Sequence, residues 1–425
     1  TSSERNMNRN RPTRYHAAWV VPIESPPIQE GFVDVAGGVI EALGTSASVP
    51  SDPGRRTVRL FDQAILPGLV NAHAHLELSE LRGEIPPASS MPAWARDVMS
   101  KRESLETGNA VRALKIAAAE LRRTGTSLVG DIANTRLSAE VLEKTSVDAV
   151  VFREEIGFNV MDDEARKIAD RLCEEQRRWT GRHVRFAVAA HAPYSVSPSL
   201  FKALSRAAGD GLRSVHLAES KEEILFLEEG IGAWRSILSE RGRWNPKWKP
   251  PAVGPVAYLS ELGWIGPRTI VVHGVHLTDA ELRFLAENGA TLVICPRSNA
   301  WTGAGIPPIE RIFSYGVRVA IGTDSLASVP DLNLFSELAE IRRIAPDLPA
   351  SEILRSATQV GATALGAGDR LGAIVPSRKA SLIAVDASGA SKGIEESLVS
   401  GIEPEQITWL DDIDFGVDEI PSRRF

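Results

Sequence analysis

The sequence predicts an α/β protein: a (β/α)8 TIM-type barrel with a small β-sandwich domain built from both chain termini. Three observations carry that prediction. Eight short apolar runs, rich in β-branched residues, lie between Leu66 and Ile321 with helical patterns between them, and near-continuous hydrophobicity is what parallel strands covered by helices require. Strand-like segments without helical rhythm flank this block on both sides. The chain has 425 residues, whereas a plain barrel needs about 250, so a surplus remains for a second domain and for insertions. A doubly wound open sheet is the alternative arrangement of the same elements. The expected domains are 1–64, the N-terminal part of the sandwich; 65–370, the barrel; and 371–425, the C-terminal part.

In chain order, Tyr15 to Val21 and Gly31 to Leu43 open as β segments, the second broken by Gly37-Gly38, a hairpin signal. Thr57 to Asp62 is a third strand. The barrel runs follow: Leu66–Val70, Ser127–Val129, Ala149–Phe152, Phe186–Ala189, Ser214–Val215, Thr269–Val272, Thr291–Ile294 and Val317–Ile321. Helices are expected over Asn109 to Arg123, Glu164 to Trp179, Asp279 to Glu287 and Leu334 to Ile344, with Thr278-Asp279 as an N-cap and Gly289 as a stop. Beyond Leu371, Gly372 to Pro376 and Ser381 to Val385 read as two further strands. Gly230 to Gly254 contains Trp234, Trp244, Trp248 and three prolines. It is too long for a plain connection; a lid or substrate loop and a packed surface excursion both account for it.

Composition narrows the function. With 43% hydrophobic residues the chain can bury a large core, which excludes intrinsic disorder. A net charge of -7 argues against nucleic acid as a partner, since phosphate binding demands a concentrated basic face. The local exception, Arg5, Arg9, Arg11 and Arg14, reads as a solvated tail. No apolar run approaches the ~20 residues that cross a bilayer, so a soluble, cytoplasmic protein with no membrane partner is expected. Cys173 and Cys295 are too few for a disulfide framework and read as ordinary thiols.

In a barrel of this type chemistry gathers at the C-terminal ends of the strands. Those ends carry His73 and His75, Asp131, Arg153 with Glu154, His191, His216, His273, Arg297-Ser298-Asn299, and Asp324. Five of the eight histidines thus fall at four strand ends. Alternation along a strand turns His73 and His75 the same way, and His216 and Asp324 complete a set of three nitrogens and one oxygen that leaves room for water on a divalent ion. Zinc is the expected metal, with ferrous iron as the alternative. Glu219, three residues after His216, suits proton shuttling, or else stabilises a helix N-terminus. His273 either binds a second metal or polarises the attacking water. Glu77, Arg297 and Asn299 are polar residues near the mouth and candidates for substrate contact; a salt-bridged structural role fits Glu77 and Arg297 equally.

Leu66-Pro-Gly-Leu-Val-Asn-Ala-His-Ala-His, His216-Leu-Ala-Glu, Val271-Val-His-Gly-Val-His-Leu and Gly322-Thr-Asp-Ser together resemble the amidohydrolase superfamily. More narrowly they resemble its cytosine deaminase, S-adenosylhomocysteine deaminase, aminofutalosine deaminase and chlorohydrolase branch, over about residues 15 to 390. The resemblance implies the same barrel and terminal sheet domain. It implies His73, His75, His216 and Asp324 as metal ligands, Glu219 as proton shuttle, His273 as the histidine assisting the hydrolytic water, and His191 as a substrate contact. Two-metal relatives place a carboxylated lysine at the end of the fourth strand; here that end reads Ala189-Ala-His191-Ala-Pro-Tyr, so one metal is favoured. The implied reaction is hydrolytic deamination of an amino-substituted heteroaromatic ring, foremost an adenine-nucleoside-type metabolite such as aminodeoxyfutalosine or S-adenosylhomocysteine. Dechlorination or amide hydrolysis at the same site, and a metal-binding protein without catalysis, are the rival readings. The partner is a small molecule, and the Trp-containing loops suit a homodimer.

Overall fold

The computed structural model describes residues 12–49, 51–104, 109–390 and 393–413. The chain divides into two compact units: Thr1–Val70, Leu121–Leu128 and Asn333–Phe425 form one, Asn71–Glu120 and Val129–Leu332 the other.

The first unit holds a six-stranded mixed sheet made of β1 (Thr13–Val20), β2 (Ile28–Ala36), β3 (Val39–Thr45), β4 (Arg56–Pro67), β13 (Leu382–Asp386) and β14 (Ile407–Trp409). Their order is β14-β13-β4-β1-β2-β3, so strands from both termini share one sheet, as the sequence predicts. Gly37 and Gly38, with φ of +58° and +76°, form the β2–β3 turn, where a two-residue hairpin needs positive φ. Tyr15, Val33, Val58, Leu60, Ile65 and Leu382 pack in one apolar cluster of this unit. Arg14 and Asp34 face each other across β1 and β2 and form a buried bidentate pair, Nε to Oδ1 and Nη2 to Oδ2, both 2.8 Å. Arg14 is therefore a strand residue rather than part of a solvated tail; Arg5, Arg9 and Arg11 lie outside the described residues.

Two expectations change. Gly372 to Pro376 is not a strand: the chain turns at Gly372, φ +86°, where a Cβ would lie 2.8 Å from the Thr358 carbonyl, and the Ile374 N–H donates to Pro22 O at 3.1 Å. Its apolar residues fill the core without joining a ladder. The run Leu66–Val70 also splits at Gly68: Leu66 and Pro67 end β4, and Leu69 begins a new strand.

The other eight strands are β5 (Leu69–Ala74), β6 (Thr126–Ala133), β7 (Asp148–Glu155), β8 (Val184–Ala190), β9 (Arg213–Leu217), β10 (Thr269–His273), β11 (Thr291–Ile294) and β12 (Arg318–Ile321). They lie side by side in sequence order with parallel pairing, and a parallel bridge between Ala74 and Asp324 joins the first strand to the segment after the last. This is the predicted eight-stranded barrel. Helices connect the strands. Asp279–Glu287 and Leu334–Ile344 have the expected bounds, and Thr278 caps the former with a reciprocal Thr278–Glu281 capping box. Ser197 and Ser220 cap the helices Pro198–Ala208 and Lys221–Glu229 by accepting from the N–H of Leu200 and Glu223, satisfying donors that a helix start leaves free.

Two substitutions test this architecture. Asp34→Ala removes the bidentate partner of the Arg14 guanidinium and should destabilise the protein by about 1.5–3 kcal/mol, read as a lower thermal midpoint; a change within error would show that the pair contributes nothing. At Gly322 an added Cβ would stand 2.6 Å from His73 O and 2.9 Å from His73 N. Gly322→Ala should push the backbone away at His73 and destabilise the protein by about 1–3 kcal/mol, read as a lower thermal midpoint with far-UV circular dichroism unchanged.

Candidate active site

Alternation in β5 puts His73 inside the barrel mouth, and His75 stands one residue past the strand, its ring 4.8 Å from that of His73. His216, near the end of β9, donates from Nδ1 to His191 O at 2.8 Å. That bond fixes the tautomer and leaves Nε2 with its lone pair, 3.2 Å from His75 Nε2. Asp324, three residues past β12, is tied to β5 through its N–H to His73 O at 3.0 Å. Its Oδ1 lies 3.8 Å from His73 Nε2 and 3.6 Å from His75 Nε2, while its Oδ2 accepts from the Ser298 hydroxyl.

Burial, reinforced by the neighbouring imidazoles, holds the His73 pKa well below its ordinary value. His75 falls to about 3 and His216 to about 4, again chiefly through burial. The rings are therefore neutral, and their contacts with Asp324 are not ion pairs. His73 Nε2 is buried without a hydrogen-bond partner. The nearest nitrogens of His73, His75 and His216 lie within 4.8 Å of one another. At least His73 Nε2 and one of the His75–His216 pair turn lone pairs into this space, which a cation would relieve, and three imidazoles with a carboxylate are the donor set of a zinc-type centre. The residues present fit a divalent ion.

Glu219 follows β9 through Ala218, whose φ is +51°. This turn is held by Glu223, which accepts from Ala218 N at 2.9 Å and from Glu219 N at 3.1 Å. Burial raises the Glu223 carboxyl to about 8 against the pull of those two N–H groups. Glu219 itself is 3% exposed; burial, then the charges of Asp324 and Glu223, push its carboxyl well above the ordinary range. Its Oε1 lies 3.6 Å from His273 Nε2. His273 ends β10 with φ +76°, and Asp324 has φ +64°. Ala218, His273 and Asp324 thus all adopt a conformation that costs non-glycine residues energy and that clusters at functional sites. Asn299 lies 3.0 Å from His273 Nδ1 and orients that ring.

A cavity of about 540 Å³ opens from this cluster, lined among others by His75, Glu77, His191, His216, Glu219, His273 and Asp324. His191 follows β8 and bonds through Nδ1 to Ser195 Oγ at 2.6 Å; burial takes its pKa down to about 4. Glu77 borders the cavity, but its carboxylate accepts from the N–H groups of Asn134 and Thr135, so it secures a loop. Asn299 acts through His273. Arg297 does not line the cavity: it pairs with Asp331 at 3.0 Å. Two lining residues were given no role by the sequence. Glu154, at the end of β7, has a buried Oε1 without a hydrogen-bond partner, 3.8 Å from His216 Nδ1; its place at a strand end was the available signal. Tyr194 carries a buried, unpartnered hydroxyl and stacks on Trp234 at 3.8 Å, a pairing across distant segments that no local pattern reveals. Gly230 to Gly254 combines both roles considered for it: Trp234 lines the cavity within the helix Ala233–Glu240, whereas Trp244 and Trp248 stack on Phe158 and Phe226.

The chain is 32% identical over 375 residues to the 5-methylthioadenosine/S-adenosylhomocysteine deaminase of Syntrophobacter fumaroxidans, covering 84% of this chain and 80% of that protein. Among solved structures, a zinc-bound adenosine deaminase from Xanthomonas campestris superposes with a TM-score of 0.78 at 30% identity, over 93% of this chain and 90% of that one. Helicobacter pylori aminofutalosine deaminase in complex with methylthio-coformycin shares the fold, with a TM-score of 0.81 at 22% identity over 93% of this chain and all of that one. The model of the amidohydrolase family matches residues 64–409, and the chain belongs to that family.

Proposed function

We propose that the protein is a metal-dependent hydrolytic deaminase that replaces the amino group of an adenine-type ring with oxygen and releases ammonia. The observation that carries this reading is the buried carboxyl of Glu219, held 3.6 Å from His273 Nε2 in the cavity that the imidazole cluster opens onto. The names of the Syntrophobacter and Xanthomonas relatives, both adenosine-type deaminases, support the same substrate class.

His73, His75, His216 and Asp324 are the residues that would hold a single ion, and the zinc of the Xanthomonas structure supports zinc as that ion. When bound, it supplies Lewis acidity and a water acidic enough to ionise near neutral pH. Asp324, anchored through Oδ2 by Ser298, would accept a proton from the attacking water at Oδ1, and His273, held by Asn299, would orient that water toward the ring. Glu219 is suited to the opposite role. Because burial keeps its carboxyl protonated above the ordinary range, it donates to the ring nitrogen next to the amino-bearing carbon as oxygen adds there. The proton taken from water then passes to the amino group, which leaves as ammonia as its C–N bond breaks, and the proton remaining on the added oxygen returns to Glu219, so the carboxyl is restored, one water is consumed and no oxidant is needed. A leaving amine requires that proton, whereas a leaving chloride does not, which favours deamination over dechlorination. His191 lines the same cavity and is a contact for the bound ring.

Glu219→Gln keeps the size of the side chain but removes the acid. It should lower kcat for ammonia release from S-adenosylhomocysteine or a related adenine nucleoside by about 10²–10⁴-fold, with metal content unchanged by elemental analysis. Near-wild-type turnover in this variant would falsify the proton-shuttle role.

A further inference from the structure

Two helices begin with the same four-residue signature and use it differently. Thr278-Asp-Ala-Glu281 forms a reciprocal capping box at the start of Asp279–Glu287: the Glu281 carboxylate accepts from the Thr278 N–H at 2.9 Å, and the Thr278 hydroxyl accepts from the Glu281 N–H at 3.3 Å. Ser220-Lys-Glu-Glu223 opens Lys221–Glu229, and here too the hydroxyl accepts from the fourth residue's N–H, at 3.2 Å. The Glu223 carboxylate, however, reaches past Ser220 to the N–H groups of Ala218 at 2.9 Å and Glu219 at 3.1 Å. Glu223 is fully buried. Burying a carboxyl costs free energy, and a helix start already capped by Ser220 does not require it, so the destination of those two bonds is what the residue serves.

Both N–H groups belong to the turn that carries Glu219 off β9, and that turn is held from its other side as well. The Ala218 carbonyl accepts from the His276 N–H at 2.9 Å, and the Leu217 carbonyl accepts from the Gly274 N–H at 3.0 Å, which ties the turn after β9 to the turn after β10. His276 thus serves through its backbone, while its ring Nε2 lies 2.9 Å from Ala304 O. Ala218 is gripped at its N–H and at its C=O, with Glu223 on one side and His276 on the other. Ala218 and His273 are the left-handed residues of these two turns, at φ +51° and +76°, a conformation that L-residues leave unless their surroundings hold them in it. The side chains that the joined turns present, Glu219 and His273, stand 3.6 Å apart.

Resting on the deaminase reading, we propose that Glu223 is a positioning residue: by holding Ala218 in its left-handed turn it sets the Glu219 carboxyl against His273, and so the proton donor against the group that orients the attacking water. Glu223→Gln keeps the volume and one acceptor oxygen but turns an NH2 group on the second N–H. In this variant kcat for ammonia release from an adenine nucleoside should fall about 10–100-fold, with KM within about threefold and metal content unchanged. Adding Ala218→Gly, which takes the same turn without the cost of a Cβ, should return about fivefold of the lost kcat. Glu222→Gln, the neighbouring acid in the same first turn, should leave kcat in place. A Glu223→Gln kcat equal to wild type, a loss that falls on KM instead, or a double variant no faster than Glu223→Gln overturns the proposal, the last even where the thermal midpoint recovers. Should the wild type release no ammonia from any adenine nucleoside, the deaminase reading falls on its own. Crystal structures of the two variants then still decide the positioning role: a Glu219–His273 separation that widens in Glu223→Gln and closes again with Ala218→Gly supports it, and an unchanged separation sinks it.

Discussion

The constraint that organises this molecule is the crowding of neutral imidazoles around a carboxylate with too few protons to go round. His73, His75, His216 and Asp324 point electron pairs into the same few ångströms, and burial prevents the rings from relieving the repulsion by protonation. A dry interior penalises such an arrangement unless a positive ion completes it. Parallel strands make it attainable, because each delivers one side chain to the same rim and the ladders lock the backbone behind it. The left-handed turns at Ala218, His273 and Asp324 aim the last residues inward, and the strain they cost is borne by the hydrogen bonds of Glu223 and of Asp324 N–H with His73 O.

Much of this was readable from the sequence. The eight barrel runs and the histidines at their ends were visible because parallel strands are almost wholly apolar, so a polar residue at a run's end stands out. The bounds of Asp279–Glu287 and Leu334–Ile344 followed from caps and helical spacing. What stayed hidden depends on contacts between distant segments. Gly372 to Pro376 has the apolar pattern of a strand, yet a φ that only tertiary packing selects turns it away from the sheet. Arg297 sits beside catalytic-looking neighbours but is taken by Asp331, 34 residues later. Glu223 looks like any acid in a first helical turn, and its grip on the Ala218–Glu219 backbone emerges only when the turn is seen.

The length beyond a plain barrel also acquires a meaning. The insertion after β5 supplies the helix Met91–Ser104, and the one after β9 supplies Ala233–Glu240; together they wall the cavity with aromatic, aliphatic and then charged side chains. The strand ends determine which bond is broken. The insertions line the space above those ends.

The six-stranded sheet carries a consequence for how the protein is made. β4 pairs on one side with β1, close in sequence, and on the other with β13, which begins at Leu382. As the chain leaves the ribosome, one edge of β4 has no neighbour until more than 300 further residues have followed it. Throughout that interval its unpaired backbone is open to any passing strand. The sheet is thus the last element to close, and the nascent chain's exposure to aggregation is set by the time needed to synthesise the barrel.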